Sequence, residues 1–194
     1  VVLDGTVTTP YLFRSKDFGV AVEVLSSTKY ISGGATTVGG LIIDNGLQDW
    51  SRCPRLAEAA QKYGPFALLA RLRREVHRNL GACMTPHNAF QQSLGLETLA
   101  LRIDRSCQNA LALARFLASR PEVAAVNYPG LAASPYHELA QAQFGGKFGG
   151  ILTFTLTDKK QCYKFMDSLA LIRRATNIND NKTLILHPAS TIFC

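Results

Sequence analysis

The sequence lacks a long apolar run, and it has few charged residues. Hydrophobic residues make up 47% of the 194 positions and charged residues 18%, which is the composition of a folded globular protein and not of a disordered chain. No apolar run approaches the roughly 20 residues that cross a bilayer. The first residues also lack the basic-then-apolar pattern of an export signal. We therefore expect no membrane partner.

The sequence also lacks paired cysteines and clustered histidines. Its five cysteines are odd in number, scattered and never arranged as C-x-x-C; they are Cys53, Cys83, Cys107, Cys162 and Cys194. No two of the four histidines have the spacing of metal ligands on a helix. These absences argue against a disulfide framework and against a metal site, and they favour a reducing cytoplasm.

Three further functions have no support in the sequence. The net charge of +7 comes partly from one predicted helix without interleaved aromatic residues, so we interpret its arginines as a solvated face and expect no nucleic-acid partner. No G-x-S-x-G motif supports a serine hydrolase. The run GGKFGG at Gly145–Gly150 lacks the residue order of a phosphate loop and precedes a strand, so it is interpreted as a turn.

Hydrophobic periodicity and turn residues predict a chain of alternating strands and helices. The predicted strands are a short one ending at Asp4, then Val20–Leu25, Gly40–Ile43, Val123–Tyr128, Ile151–Leu156 and Leu184–Leu186. The predicted helices are 55–63, Phe66–Leu80, Pro86–Ser119, His137–Phe144 and one capped by Asp158 that runs to Leu171. More than thirty residues is long for one helix, so a bend is expected at Gly95 or within Asp104–Gln108.

The most informative stretch is Glu23–Gly40, EVLSSTKYISGGATTVGG. A strand-like run breaks into hydroxyl residues that are followed at once by Lys29 and then by four glycines in eight residues. Open α/β sheets bind their ligands at the carboxyl ends of strands, where this lysine lies. An amine there can react with a carbonyl group or pair with a phosphate, although position alone favours a solvated lysine at a strand end.

Asp4 favours the chemical interpretation. The run VVLD reads as a short strand ending in a carboxylate, followed by a Thr-Pro turn, so two neighbouring strands would bring Asp4 and Lys29 to one sheet edge. Pyridoxal 5′-phosphate needs this pair, because a lysine bonds to its aldehyde and a carboxylate keeps the pyridine nitrogen protonated. Ser26 and Thr28, two apart on a predicted strand, would point the same way and reach phosphate oxygens.

These motifs carry a resemblance to a known family. SSTKYISGG, preceded by D-x-T-x-x-T-P-Y-L, resembles the cofactor-lysine region of the Cys/Met-metabolism pyridoxal-phosphate enzymes of fold type I. Within that group the chain most resembles the O-acetylhomoserine sulfhydrylases, through GGATTVGGLIIDNGLQDW, REVHRNLGACMTPHNAFQQSLGLETLALR, VNYPGL and ATNINDNKTLILHPAST. The similarity runs through nearly the whole chain. Gly5 departs from it, since many relatives have asparagine or threonine there.

The resemblance implies roles for particular residues. Lys29 would be the Schiff-base lysine and Asp4 the partner of the pyridine nitrogen. Ser26 and Thr28 would bind the phosphate, and Asn177 would bind the substrate carboxylate through its side chain. Turn chemistry is the alternative interpretation of the Asn-rich segment around Asn177.

The resemblance also implies a fold. Residues 1–105 would be the latter part of an α/β large domain, with a mostly parallel sheet covered by helices and the start of a linking helix. Residues 106–194 would be part of a smaller α+β C-terminal domain. The family's phosphate-binding loop and its carboxylate-binding arginine would lie outside these 194 residues, so the chain is expected to be part of a longer enzyme.

The implied reaction is a γ-replacement. O-acetylhomoserine and sulfide or a thiol would give homocysteine or methionine and acetate, in a cytoplasmic homo-oligomer built from dimers paired into tetramers. A methionine γ-lyase or a cystathionine γ-synthase of the same group is one alternative. A non-catalytic truncated fragment that binds no cofactor is another.

Overall fold

The structure is a computed structural model and describes residues 1–192. The first sheet has the order β1-β2-β3, formed by Val2–Asp4, Val22–Ser26 and Gly40–Asp44. Strand β1 runs parallel to β2, and β3 runs antiparallel to β2. Two smaller sheets follow: an antiparallel pair of β4 (Ala125–Asn127) with β5 (Thr153–Thr155), and a parallel pair of β6 (Arg173–Arg174) with β7 (Leu184–Ile185).

Residues 1–192 contain eight α-helical segments. They are α1 (Thr9–Leu12), α2 (Ala57–Tyr63), α3 (Ala67–Arg71), α4 (Arg78–Leu80), α5 (Pro86–Glu97), α6 (Leu99–Ala118), α7 (His137–Phe144) and α8 (Lys159–Ser168). A π-helical stretch, Leu72–His77, connects α3 to α4, so the predicted helix over Phe66–Leu80 is continuous but not uniformly α-helical. Gly81 ends it with a φ of 68°, as helix-terminating glycines do.

The long predicted helix is divided, but not at either expected point. Thr98 ends α5 and begins α6, with a φ of −107° and a ψ of 5°. The expected bends at Gly95 and within Asp104–Gln108 are therefore wrong, because both positions lie inside regular helix. Thr85 caps α5 as predicted, and its Oγ1 accepts a hydrogen bond from the backbone N–H of Asn88.

Helix α6 lies at the centre of the core. Ile103 and Cys107 on α6 are buried against Leu12 and Tyr30, so α6 packs on the first sixty residues. One and two turns further along, Ala110 and Ala114 pack against Tyr128 in the second half. The apolar face of one helix therefore joins the two parts of the chain.

Two further observations concern absences among residues 1–192. No described helix is long and apolar enough to cross a membrane. The thiols of Cys53, Cys83, Cys107 and Cys162 are free within the described region. Cys194, the fifth cysteine of the sequence, lies outside it.

Candidate active site

The sheet edge formed by β1 and β2 carries the first two predicted site residues. Asp4 is the last residue of β1 and is the register partner of Val24 on the parallel strand β2. Strand β2 ends two residues later at Ser26, and Lys29 follows in a turn. Because parallel strands end at the same edge, the carboxylate and the lysine segment leave the sheet in the same direction.

The amine of Lys29 contacts a distant asparagine. Its Nζ donates a hydrogen bond to Oδ1 of Asn177 at 2.5 Å, across 148 positions of sequence. Both side chains are half-buried. The structure thus brings together two residues that the sequence had singled out in separate halves of the chain.

Asp4 is fixed by a threonine two residues further on. Its Oδ1 accepts a hydrogen bond from the backbone N–H of Thr6 at 2.9 Å. Hydrogen bonds from the side chain and the backbone of Thr6 hold the pKa of Asp4 below its ordinary value, against a smaller opposing effect of burial. Asp4 is therefore ionised at neutral pH.

Thr6 was not predicted to be a site residue. Its Oγ1 accepts a hydrogen bond from the backbone N–H of Ser26 at 2.8 Å, so one buried hydroxyl joins the end of β2 to the carboxylate of β1. The signal in the sequence was the third position of the D-x-T motif. Gly5, the departure from the family pattern, has a structural reason as well: a Cβ there would clash with the buried carboxylate of Glu23.

The expectation that Ser26 and Thr28 share one strand face is wrong. Strand β2 ends at Ser26, so Thr28 belongs to the following turn and the alternation of strand side chains does not reach it. The hydroxyl of Thr28 accepts a hydrogen bond from the backbone N–H of Gly39 at 3.0 Å and donates to the Gly39 carbonyl oxygen at 3.3 Å. Ser26 is half-buried at the strand end. Phosphate binding by either hydroxyl stays a prediction.

Three asparagines attach the segment Asn177–Lys182 to the lysine region. Asn179 donates from Nδ2 to the carbonyl oxygen of Thr6 at 3.2 Å, and Asn181 donates from Nδ2 to the carbonyl oxygen of Gly33 at 3.0 Å. Together with Asn177, they occupy alternate positions of the sequence NINDNK. The sequence indicated only a turn at Asn179 and Asn181, and their spacing was the available signal.

The glycine-rich turn Gly145–Gly150 lies close to the same region. Lys147 forms an ion pair with Asp104 at 2.7 Å and donates to the Oη of Tyr11 at 2.6 Å. Hydrogen bonds to Asp104 and to Tyr11 raise the pKa of Lys147. A Cβ on Gly150 would clash with the hydroxyl of Tyr30, the residue after Lys29. The turn thus packs closely against Tyr30.

The chain is similar to known proteins in both sequence and fold. The sequence pattern of the family described as "Cys/Met metabolism PLP-dependent enzyme" matches residues 1–194. The chain is 38% identical to O-acetyl-L-homoserine sulfhydrylase 1 of Thermus thermophilus, over 93% of this chain and 46% of that protein.

Two solved structures have closely similar folds. The O-acetylhomoserine sulfhydrylase of Wolinella succinogenes superimposes with a TM-score of 0.89 and 56% identity, over 99% of this chain and 54% of that one. A putative O-acetylhomoserine (thiol)-lyase from Campylobacter jejuni, which carries a pyridoxyl-lysine phosphate, superimposes with a TM-score of 0.89 and 36% identity, over 98% of this chain and 48% of that one. These matches confirm the α/β class. The chain spans about half the length of the relatives it matches.

Proposed function

The chain belongs to the Cys/Met metabolism family of pyridoxal-phosphate-dependent enzymes, and we propose that the protein carrying it is an O-acetylhomoserine sulfhydrylase. The reaction would replace the acetate group on Cγ of O-acetylhomoserine by sulfide or a thiol, giving homocysteine or methionine and acetate. The observation that carries this proposal is the parallel pairing of β1 with β2, which directs the carboxylate of Asp4 and the amine-bearing turn at Lys29 to one edge.

The residues at that edge fit the cofactor in their chemistry. Lys29 offers an amine, Asp4 an ionised carboxylate and Ser26 a hydroxyl. A permanently negative partner suits a protonated pyridine nitrogen, and the hydrogen bonds from Thr6 keep Asp4 in that state. When bound, pyridoxal phosphate supplies an electron sink for the substrate's carbon atoms. Lys29 would hold it covalently, Asp4 would pair with its ring nitrogen, and Ser26 and Thr28 would bind its phosphate.

Lys29 would also move protons. Its amine, once released by the incoming substrate amine, would remove the proton from the substrate Cα and return protons to neighbouring carbons as general base and acid. A hydrogen bond from Nζ to Oδ1 of Asn177 holds the amine in one position for this task. The Nδ2 of Asn177 carries two N–H groups, of which one is donated to Asp180. We assign the second to the substrate carboxylate.

The larger organisation is proposed on the family's pattern. Residues 1–105 would be the latter part of the cofactor-binding domain, although its three described strands pair once parallel and once antiparallel and so do not form the mostly parallel sheet expected from the resemblance. Residues 106–194 would be part of the C-terminal α+β domain. The intact protein would be cytoplasmic and would form dimers paired into tetramers. Its partners would be the amino-acid substrate and the sulfur donor.

Product analysis on the intact protein tests the reaction. With O-acetylhomoserine and sulfide, we expect homocysteine and acetate, in amounts that depend on sulfide. A methionine γ-lyase would release 2-oxobutyrate and ammonia without sulfide, and a cystathionine γ-synthase would require cysteine in its place.

Replacing Asp4 by alanine should lower kcat at least about tenfold, which corresponds to a loss of about 1.4 kcal/mol of transition-state stabilisation. An unchanged rate in Asp4→Ala would contradict the role of Asp4.

A further inference from the structure

Asp180 lies directly behind the asparagine that contacts Lys29. Its Oδ2 accepts a hydrogen bond from Nδ2 of Asn177 at 3.0 Å. Its Oδ1 accepts a hydrogen bond from the backbone N–H of Lys182 at 3.1 Å. The same oxygen lies 3.6 Å from the charged Nζ of Lys182. The side chain of Asp180 is only 11% exposed. Three groups therefore hold this carboxylate in a fixed orientation.

The charge state of Asp180 decides how the amide of Asn177 is oriented. Burial opposes ionisation of Asp180, but hydrogen bonds from Asn177 and Lys182 outweigh it and hold the pKa below its ordinary value. An ionised carboxylate accepts hydrogen bonds and donates none, so it can face only the NH₂ end of the Asn177 amide. The oxygen end must then face Lys29, as it does.

Without Asp180, the orientation of the Asn177 amide would depend on the charge of the Lys29 amine itself. An amide can present either its oxygen or its NH₂ group to a neighbouring amine. The oxygen stabilises a protonated amine, which donates, whereas the NH₂ group stabilises an unprotonated amine, which accepts. The difference matters for a lysine that must both take and return a proton.

We propose that Asp180 is a positioning residue for Lys29: it fixes the amide of Asn177 with Oδ1 toward the amine. The inference rests on the proposed function, because it concerns the lysine that binds pyridoxal phosphate. It assigns Asp180 no contact with substrate or cofactor. Its effect passes entirely through Asn177.

The test is the pH dependence of cofactor capture by the intact, cofactor-free protein. The Nζ of Lys29 attacks the aldehyde carbon, and one water leaves as the new bond forms. Because the attack needs an unprotonated amine, the rate rises with pH. Pyridoxal phosphate is the probe, and borohydride reduction with peptide mapping locates the adduct. In Asp180→Asn, which is isosteric, we expect the midpoint of the rate profile to fall by about half to one pH unit.

A double-mutant cycle separates orientation from simple loss of charge. In an Asn177→Leu background, Asp180→Asn should have no further effect on the midpoint. Asp167→Asn is the matched control, since it removes the same charge from an exposed ion pair with Arg174 and should leave the midpoint unchanged. If Asp180→Asn fails to fold, Asp180→Ser serves instead, because a hydroxyl both donates and accepts and fixes no orientation.

The outcomes distinguish the inference from the function on which it rests. A fall that disappears with Asn177→Leu supports the positioning role. An unchanged midpoint in Asp180→Asn, or a fall that persists without Asn177, overturns it while the proposed function stands. If the unmodified protein captures no cofactor on Lys29, both are overturned.

Discussion

Thr6 shows how much one buried hydroxyl can determine at a sheet edge. It holds Asp4 through its side chain and its backbone, and it accepts a hydrogen bond from the backbone of Ser26. Its carbonyl oxygen receives the amide of Asn179. One residue therefore contacts the carboxylate of Asp4, the end of β2 and Asn179.

Replacing Thr6 by valine should destabilise the protein at neutral pH. The side chain keeps its shape but leaves the N–H of Ser26 without its acceptor, which costs about 1–3 kcal/mol in the free energy of unfolding. Urea titration measures this loss. Thr8→Val is the control, because the hydroxyl of Thr8 makes only a 3.5 Å hydrogen bond to Gly5, and its effect should stay within about 0.5 kcal/mol.

The same variant predicts a dependence on pH. The folded pKa of Asp4 lies below its unfolded value, so the stability that Thr6 adds through Asp4 is fully present above about pH 4 and is lost as the pH falls through the folded pKa. The difference in unfolding free energy between the unmodified protein and Thr6→Val should thus be larger at pH 7 than at pH 3. Because Asp4 is exposed, this part of the difference is small. A larger difference at pH 3 than at pH 7 would contradict the contact between Thr6 and Asp4.

At this scale the sequence revealed the chemistry of the site but not its geometry. Lys29 and Asp4 stand out because an amine and a carboxylate follow strand-like runs. Asp180 and Thr6 do not, since their importance comes from contacts made through folding. Thr28 was placed wrongly on a strand, because the end of β2 depends on where Gly39 and Gly40 pair with it, and no local pattern shows this.

Among the elements, the junction of α5 with the lysine turn depends on Gly95. A Cβ on Gly95 would clash with the backbone carbonyl of Ile31 and would lie 2.8 Å from the carbonyl carbon of Ser32. Both atoms belong to the turn that follows Lys29. The glycine that suggested a helix bend is instead the point where α5 packs against the turn that follows Lys29.

Gly95→Ala should therefore destabilise the protein, although alanine favours a helix by about 1 kcal/mol. Overpacking against backbone costs about 1–3 kcal/mol, so we expect a net loss of up to about 2 kcal/mol and slower cofactor capture, as the turn bearing Lys29 is displaced. Ser93→Ala, on the exposed side of α5, should leave the stability and the rate of cofactor capture nearly unchanged. Thermal unfolding measures the stability, and capture rates measure the displacement of the turn. A Gly95→Ala variant more stable than the unmodified protein would contradict the close approach of Gly95 to the backbone of Ile31.

The elements themselves could be predicted in part. The helix His137–Phe144 was predicted to the residue, and Gly145, with a φ of 59°, marks its end. The predicted strand Ile151–Leu156 is real but shorter, at Thr153–Thr155, since its pairing is limited to the three residues of β4. Pairing partners fix the length of a strand, and they lie far away in sequence.

For the molecule as a whole, one hydrogen bond links the first sheet to the segment Asn177–Lys182 near the other end of the chain. Asn179 has a positive φ of 56° and is buried, and it binds Thr6 across 173 positions. Asparagine tolerates this conformation better than most residues do. The conformation and the hydrogen bond can therefore be tested separately.

We expect Asn179→Ala to lose both contributions and Asn179→Gly to lose only the hydrogen bond. Alanine adds the strain of a left-handed conformation, about 1 kcal/mol, to the loss of a hydrogen bond of about 1 kcal/mol. The free energy of unfolding should be highest in the unmodified protein, lower in Asn179→Gly and lowest in Asn179→Ala. An alanine variant as stable as the glycine variant would contradict the left-handed backbone at this position.

The bond proposed between Lys29 and pyridoxal phosphate can be tested directly. The most direct measurement adds pyridoxal phosphate to the intact protein, reduces the complex with borohydride and maps the modified peptide. We predict an absorbance band on binding and a reduced adduct on the peptide that contains Lys29, both lost in Lys29→Ala. No adduct, or one on another lysine such as Lys147 or Lys182 that persists in Lys29→Ala, would contradict it.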